Sequence, residues 1–147
     1  MSLKRRYFLG GLVSALAVGG ALALDVIGPV APPKPLTLQF SRGAALANGE
    51  DARLQAFVGQ HVAEQKILFH VSGHTGDQGD PDANRDLSQQ RADMVAAALV
   101  DAGVPVERII AVQGVGSAQP LSKDGDESDP QHQRRMARAV VTAVVQK

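Results

Sequence analysis

From Leu36 to Lys147 the chain alternates between two periodicities, and that alternation limits the folds open to it. Leu36–Phe40 switches between apolar and polar residues, as a strand with one buried face does. Gly49–Glu64 places Leu54, Phe57, Val58, His61 and Val62 at i, i+3, i+4, i+7 and i+8, the apolar stripe of a helix. Ile67–Ser72 is a β-branched and aromatic run of strand length. Arg85–Asp101 again repeats as a helix and stops at Gly103 and Pro105. Arg108–Gln113 carries Ile109, Ile110 and Val112, and Arg138–Val145 is the last β-rich run. The order β-α-β-α-β-β predicts an α+β two-layer sandwich, with two helices on one face of a four-stranded mixed sheet. Ser122–Asp129 reads as an acidic loop.

The first 35 residues follow a different logic. Lys4, Arg5 and Arg6 precede Tyr7–Leu24, a run with no charge, and Ala21-Leu22-Ala23 offers a small-x-small cleavage site. Arg5 and Arg6 followed by Phe8-Leu9 resemble a twin-arginine export motif. Residues 1–23 are therefore expected to be a cleaved signal peptide or a retained inner-membrane anchor, since about 18 residues is the short limit for a bilayer span. In both cases the remainder lies outside the cytoplasm, and residues 7–24 provide the membrane association. Val26–Pro35 holds Pro29, Pro32, Pro33 and Pro35, so residues 24–35 form a stiff linker. Ten such residues span about 30 Å. Residues 36–147 are the folded domain.

Composition removes several functions. Without the basic leader the chain holds 12 basic and 15 acidic residues, and aromatics make up 3%. That is no nucleic-acid footprint. The absence of cysteine excludes a thiolate nucleophile and cysteine-ligated metals. His70 and His74 lack a third nearby ligand, so no metal is expected. Asp80–Asp86 resembles the start of a calcium loop, but its sixth and twelfth positions hold Arg85 and Arg91 instead of Gly and Glu. Ser72 and Ser88 flank His74 in sequence, yet nothing marks a catalytic triad.

Arg91 is the residue that stands out. With Leu87 at zero on a helical wheel, Arg91 falls at about 40° and Asn84 at about 60°, inside the arc of Met94, Ala98 and Val95. A guanidinium on the buried face of a helix is costly unless it is paired. Arg91 therefore either forms an ion pair with an acidic loop residue or awaits an anionic ligand, and its fork suits a carboxylate.

The surrounding motif is specific. Gly73-His74-Thr75-Gly76, Gly79, Asn84, Leu87-Ser88 and Arg91-Ala92 occur at the spacing of the OmpA-like peptidoglycan-binding domain (the OmpA/Pal/MotB C-terminal family), which this segment resembles. Gly114-Val115-Gly116 with Pro120 is similar to the family's downstream G-x-G-x-x-x-P. The resemblance implies a non-catalytic periplasmic or cell-envelope domain with no cofactor. Its ligand would be the diaminopimelate of the peptidoglycan stem peptide. It assigns the ligand carboxylate to Arg91 and the ammonium to the aspartate of the family's G-H-T-D. It places His74, Thr75, Asn84, Leu87 and Arg138 around the same pocket. Gly76 stands where that aspartate belongs, and Asp77 follows one residue later. Either Gly76 turns the loop so that Asp77 takes over, or the pocket is degenerate and the domain binds an envelope protein or a second copy of itself. At the C-terminus the family's Asn-Arg-Arg-Val is set on Ala137-Arg138-Ala139-Val140 rather than on Gln133–Met136, because the β-rich run begins there.

Overall fold

A computed structural model describes residues 33–146. The expected export segment 1–23 and nearly all of the linker 24–35 lie outside the described residues. The elements are β1 (Leu36–Arg42), β2 (Ala45–Leu46), α1 (Glu50–His61), β3 (Ile67–Gly73), α2 (Pro81–Asp101), β4 (Ile109–Gly114), α3 (Asp129–Met136) and β5 (Arg138–Val145). The sheet order is β2-β1-β5-β3-β4. β5 runs antiparallel to both β1 and β3, while β3 and β4 are parallel.

Two expectations are corrected. Among the described residues the sheet has five strands instead of four, and there are three α-helices instead of two. β2 is only two residues long, so it has no alternation to read; it pairs back on β1 through the turn at Gly43. α3 lacks an apolar stripe, and Met136 is its one buried residue. Its signal is in its cap: Ser128 with Gln131 three residues on, and Pro130 in the first turn. The backbone N–H of Ser128 donates to Gln131 Oε1 at 2.9 Å. Helix boundaries also move. α2 begins at Pro81, four residues before the expected start, because Asp80 caps it and accepts from Ala83 N at 2.9 Å. Apolar periodicity is silent over that first turn.

One core joins Leu38 and Phe40 of β1, Leu54, Phe57 and Val58 of α1, and Phe69 and Val71 of β3. Val95 and Leu99 of α2 and Val141 of β5 complete it. Strand alternation puts these side chains on one sheet face, under α1 and α2. Arg108 closes the end of α1: its guanidinium donates to the carbonyls of Val62, Glu64 and Ile67, each at 2.7 Å, and stacks over Phe69.

The backbone of α2 sits directly against the ends of β3 and β4. A Cβ on Gly73 would land on the carbonyl oxygen of Ser88, and one on Gly114 would strike the backbone of Gln89. Ser88 Oγ accepts from Gly116 N at 2.8 Å, and Gln89 Oε1 accepts from Gly114 N at 2.7 Å. The glycines and serine of the motif are therefore a packing device. They clamp the N-terminal half of α2, and with it Arg91, to the ends of two parallel strands.

Candidate functional site

Arg91 is 5% exposed. Its Nε donates to the carbonyl of Gly43 at 2.8 Å and its Nη1 to the carbonyl of His74 at 2.7 Å. The guanidinium stacks over Phe40, 4.9 Å from the ring centroid. Burial pulls its pKa below the ordinary guanidinium value. Among the described residues no carboxylate pairs with it. Of the two alternatives left by the helical wheel, the ion pair is absent. Nη2 has no hydrogen-bond partner among the described residues, so one edge of the fork is left for something else.

His74 lies on the other side of the same carbonyl. Its backbone N–H donates to Arg138 O at 2.8 Å, which fixes the end of β3 to the start of β5. Its ring is 2% exposed; Nε2 shares a hydrogen bond with Ser72 Oγ at 3.0 Å, and Nδ1 has no partner. Burial first, and the Arg138 guanidinium second, lower its pKa to about 4, so the ring is neutral near pH 7. A serine beside a histidine suggests nucleophilic chemistry, but burial makes this histidine a weak base, and among the described residues no acid orients it through Nδ1. Thr75 is also buried. Its N–H donates to Gly116 O at 3.0 Å, and its Oγ1 has no partner. Arg138 is 6% exposed and braces the chain, donating to Met136 O at 3.3 Å and Gln119 O at 3.1 Å. Its own pKa is lowered, mainly by burial.

The structure therefore gathers Arg91, His74, Thr75 and Arg138 around the last turn of β3. It does not bring the other expected residues into that group in the same way. Asn84 Nδ2 donates to Gln78 O at 2.9 Å, pinning the 76–80 loop to the start of α2. Leu87 is half-buried on α2. Asp77 is exposed, and its Oδ1 accepts from Gln133 Nε2 at 2.6 Å instead of meeting Arg91. Gly76 does not adopt a left-handed φ, so it makes no special turn that would present Asp77 in its place. What it leaves is space, and Gln133 fills it: a Cβ on Gly76 would lie 1.9 Å from Gln133 Oε1. Gln133 escaped the sequence reading because its helix did. β5 begins at Arg138, and Gln133–Met136 lies in α3.

The structure is thus a two-layer α+β domain with a buried arginine at its strand ends that has no carboxylate partner among the described residues. The chain belongs to the OmpA family, whose model matches residues 41–135. It is 41% identical over 71 residues to the probable lipoprotein YiaD of Escherichia coli, a match spanning 48% of this chain and 32% of that protein. It is 36% identical over 67 residues to the outer-membrane lipoprotein YfiB of Pseudomonas aeruginosa, spanning 46% and 39%. The matches thus span about a third of the length of these curated relatives. The fold is similar to that of the peptidoglycan-associated lipoprotein from Burkholderia pseudomallei (TM-score 0.63, 19% identity, 74% of this chain and 89% of that one). It is also similar to the periplasmic domain of Helicobacter pylori MotB (TM-score 0.62, 16% identity, 77% and 83%).

Proposed function

We propose that the domain is a non-catalytic module that binds the bacterial cell wall, holding the diaminopimelate of the peptidoglycan stem peptide in the crevice of Arg91. The observation that carries this reading is a buried guanidinium with two backbone acceptors, no carboxylate partner among the described residues and an unused Nη2. A ligand carboxylate supplies the missing negative charge through a charge-assisted hydrogen bond. Membership of the OmpA family and the names of the relatives, which are lipoproteins and periplasmic domains, support a periplasmic or envelope location. Residues 1–23 would deliver the domain there, as a twin-arginine-type signal or as an anchor.

A second reading has one observation in its favour. Gly76 offers no carboxylate for the ligand ammonium, and an amide occupies the space beside it. On that reading the pocket is degenerate, and the domain docks an envelope protein or a second copy. Incubation of the purified protein with insoluble peptidoglycan, with free diaminopimelate as competitor, separates the two. Wall binding predicts retention that the competitor abolishes. The interaction reading predicts no retention.

A further inference from the structure

On the wall-binding reading, Arg91 supplies a cation for one end of an amino acid, and its motif supplies no carboxylate for the other. Asp77 is turned outward, and Gly76 carries nothing. Gln133 is the side chain placed against this segment from outside the motif. Its amide oxygen lies where a side chain at position 76 would begin, two residues after the carbonyl that Arg91 holds. The orientation of the amide is not arbitrary. A carboxylate only accepts hydrogen bonds, so the contact with Asp77 Oδ1 must use Nε2, and Oε1 is left over Gly76. The helix that carries Gln133 is itself braced. Arg135 donates to Glu127 at 2.7 and 2.9 Å, and Met136 is buried beneath.

We propose that Gln133 is the acceptor for the ligand's ammonium group and that Asp77 is its positioning residue. The inference rests on the wall-binding reading above. The site then recognises an amino-acid terminus through one charged contact, at Arg91, and one neutral contact, at Gln133 Oε1. Asp77 acts at one remove: it orients the amide, and by accepting from Nε2 it polarises the carbonyl toward the ligand. Such a site still prefers an amine-bearing ligand, by the margin of one hydrogen bond from the ammonium to an uncharged acceptor.

The test compares two competitors for retention on insoluble peptidoglycan: diaminopimelate, and pimelate, the same dicarboxylate without amines. The wild-type protein should favour diaminopimelate by about tenfold or more, the value of one hydrogen bond with a charged partner. Gln133→Ala should bring that ratio to about one. Gln133→Met, of similar length but with only a weak sulfur acceptor, should lower the ratio nearly as far while filling the same space. Asp77→Asn should lower the ratio part of the way. Gly76→Asp should restore it in the Gln133→Ala background, where the space is vacant, and do less alone, where the new Cβ meets the amide. A wild-type preference that survives both Gln133 variants overturns the assignment of Gln133. Failure of the wild-type protein to bind peptidoglycan without competitor overturns the wall-binding reading, and this inference with it.

Discussion

His74 links the site to pH. Its folded-state pKa of about 4 lies below the ordinary histidine value of 6.5, so the unfolded chain binds the proton more readily than the fold does. The stability gained from the neutral ring is complete above pH 6.5, declines as pH falls toward 4, and changes no further below that. A displacement of this size corresponds to about 3 kcal/mol at most. Urea unfolding at several pH values between 7 and 4 should therefore show a steeper loss for the wild-type protein than for His74→Phe, which cannot titrate. Parallel curves would mean that His74 is protonated equally in both states. Arg91 permits a second test at this scale. Arg91→Lys keeps the charge but loses the planar fork that holds Gly43 O and His74 O together. It should cost about 2 kcal/mol of stability, because a buried carbonyl is left without its donor. If Arg91 also holds the ligand, retention on peptidoglycan should fall at least about tenfold under conditions where the variant is still folded. Normal retention would remove Arg91 from the ligand site.

The packing of α2 on the sheet makes two glycines behave in opposite ways. Gly114→Ala drives a methyl into the backbone of Gln89, which cannot swing aside as a side chain can. The expected loss is about 3 kcal/mol, seen as a lower urea midpoint. Gly59, within α1, has nothing near its missing Cβ and is solvent-exposed. Gly59→Ala should raise stability by about 0.5–1 kcal/mol through a less flexible unfolded chain. If both substitutions destabilise alike, close approach of helix and strand is not what selects glycine at position 114. The same elements show what could be read in the sequence. β3, α2 and β5 announce themselves because apolar periodicity survives wherever one face of an element is buried. β2 and α3 do not, since two residues show no period and a polar helix with a single buried methionine shows no stripe. Arg91 was legible from its place on the wheel. Its carbonyl partner Gly43 was not, because that contact joins positions 48 residues apart. Gln133 was hidden with α3, although Ser128, Pro130 and Gln131 spell out a helix start.

For the whole chain, the leader makes an expectation of its own. Replacing Arg5 and Arg6 with lysines preserves charge but should stop export if the twin-arginine route is used. Normal amounts of the double variant in the periplasm would assign the general secretory route instead. An N-terminus near Leu24 in the exported protein identifies a cleaved signal; full-length protein in the inner-membrane fraction identifies an anchor. Within the described residues, the direction of β1 has a mechanical consequence. The chain enters the sheet at Leu36, and the carbonyl that Arg91 grips at Gly43 lies just past the opposite end of the same strand. His74 and Arg138 sit at that far end too, beyond β3 and at the start of β5. If the domain binds the wall as proposed and is held by its N-terminal leader, it is pulled between that attachment and its ligand, which means along β1. Such a force shears β1 against β5, loading their four paired positions, Leu36–Gln39 opposite Arg138–Val141, together instead of peeling them one at a time. Pulling in that direction should rupture the domain at a higher force than pulling across the strands.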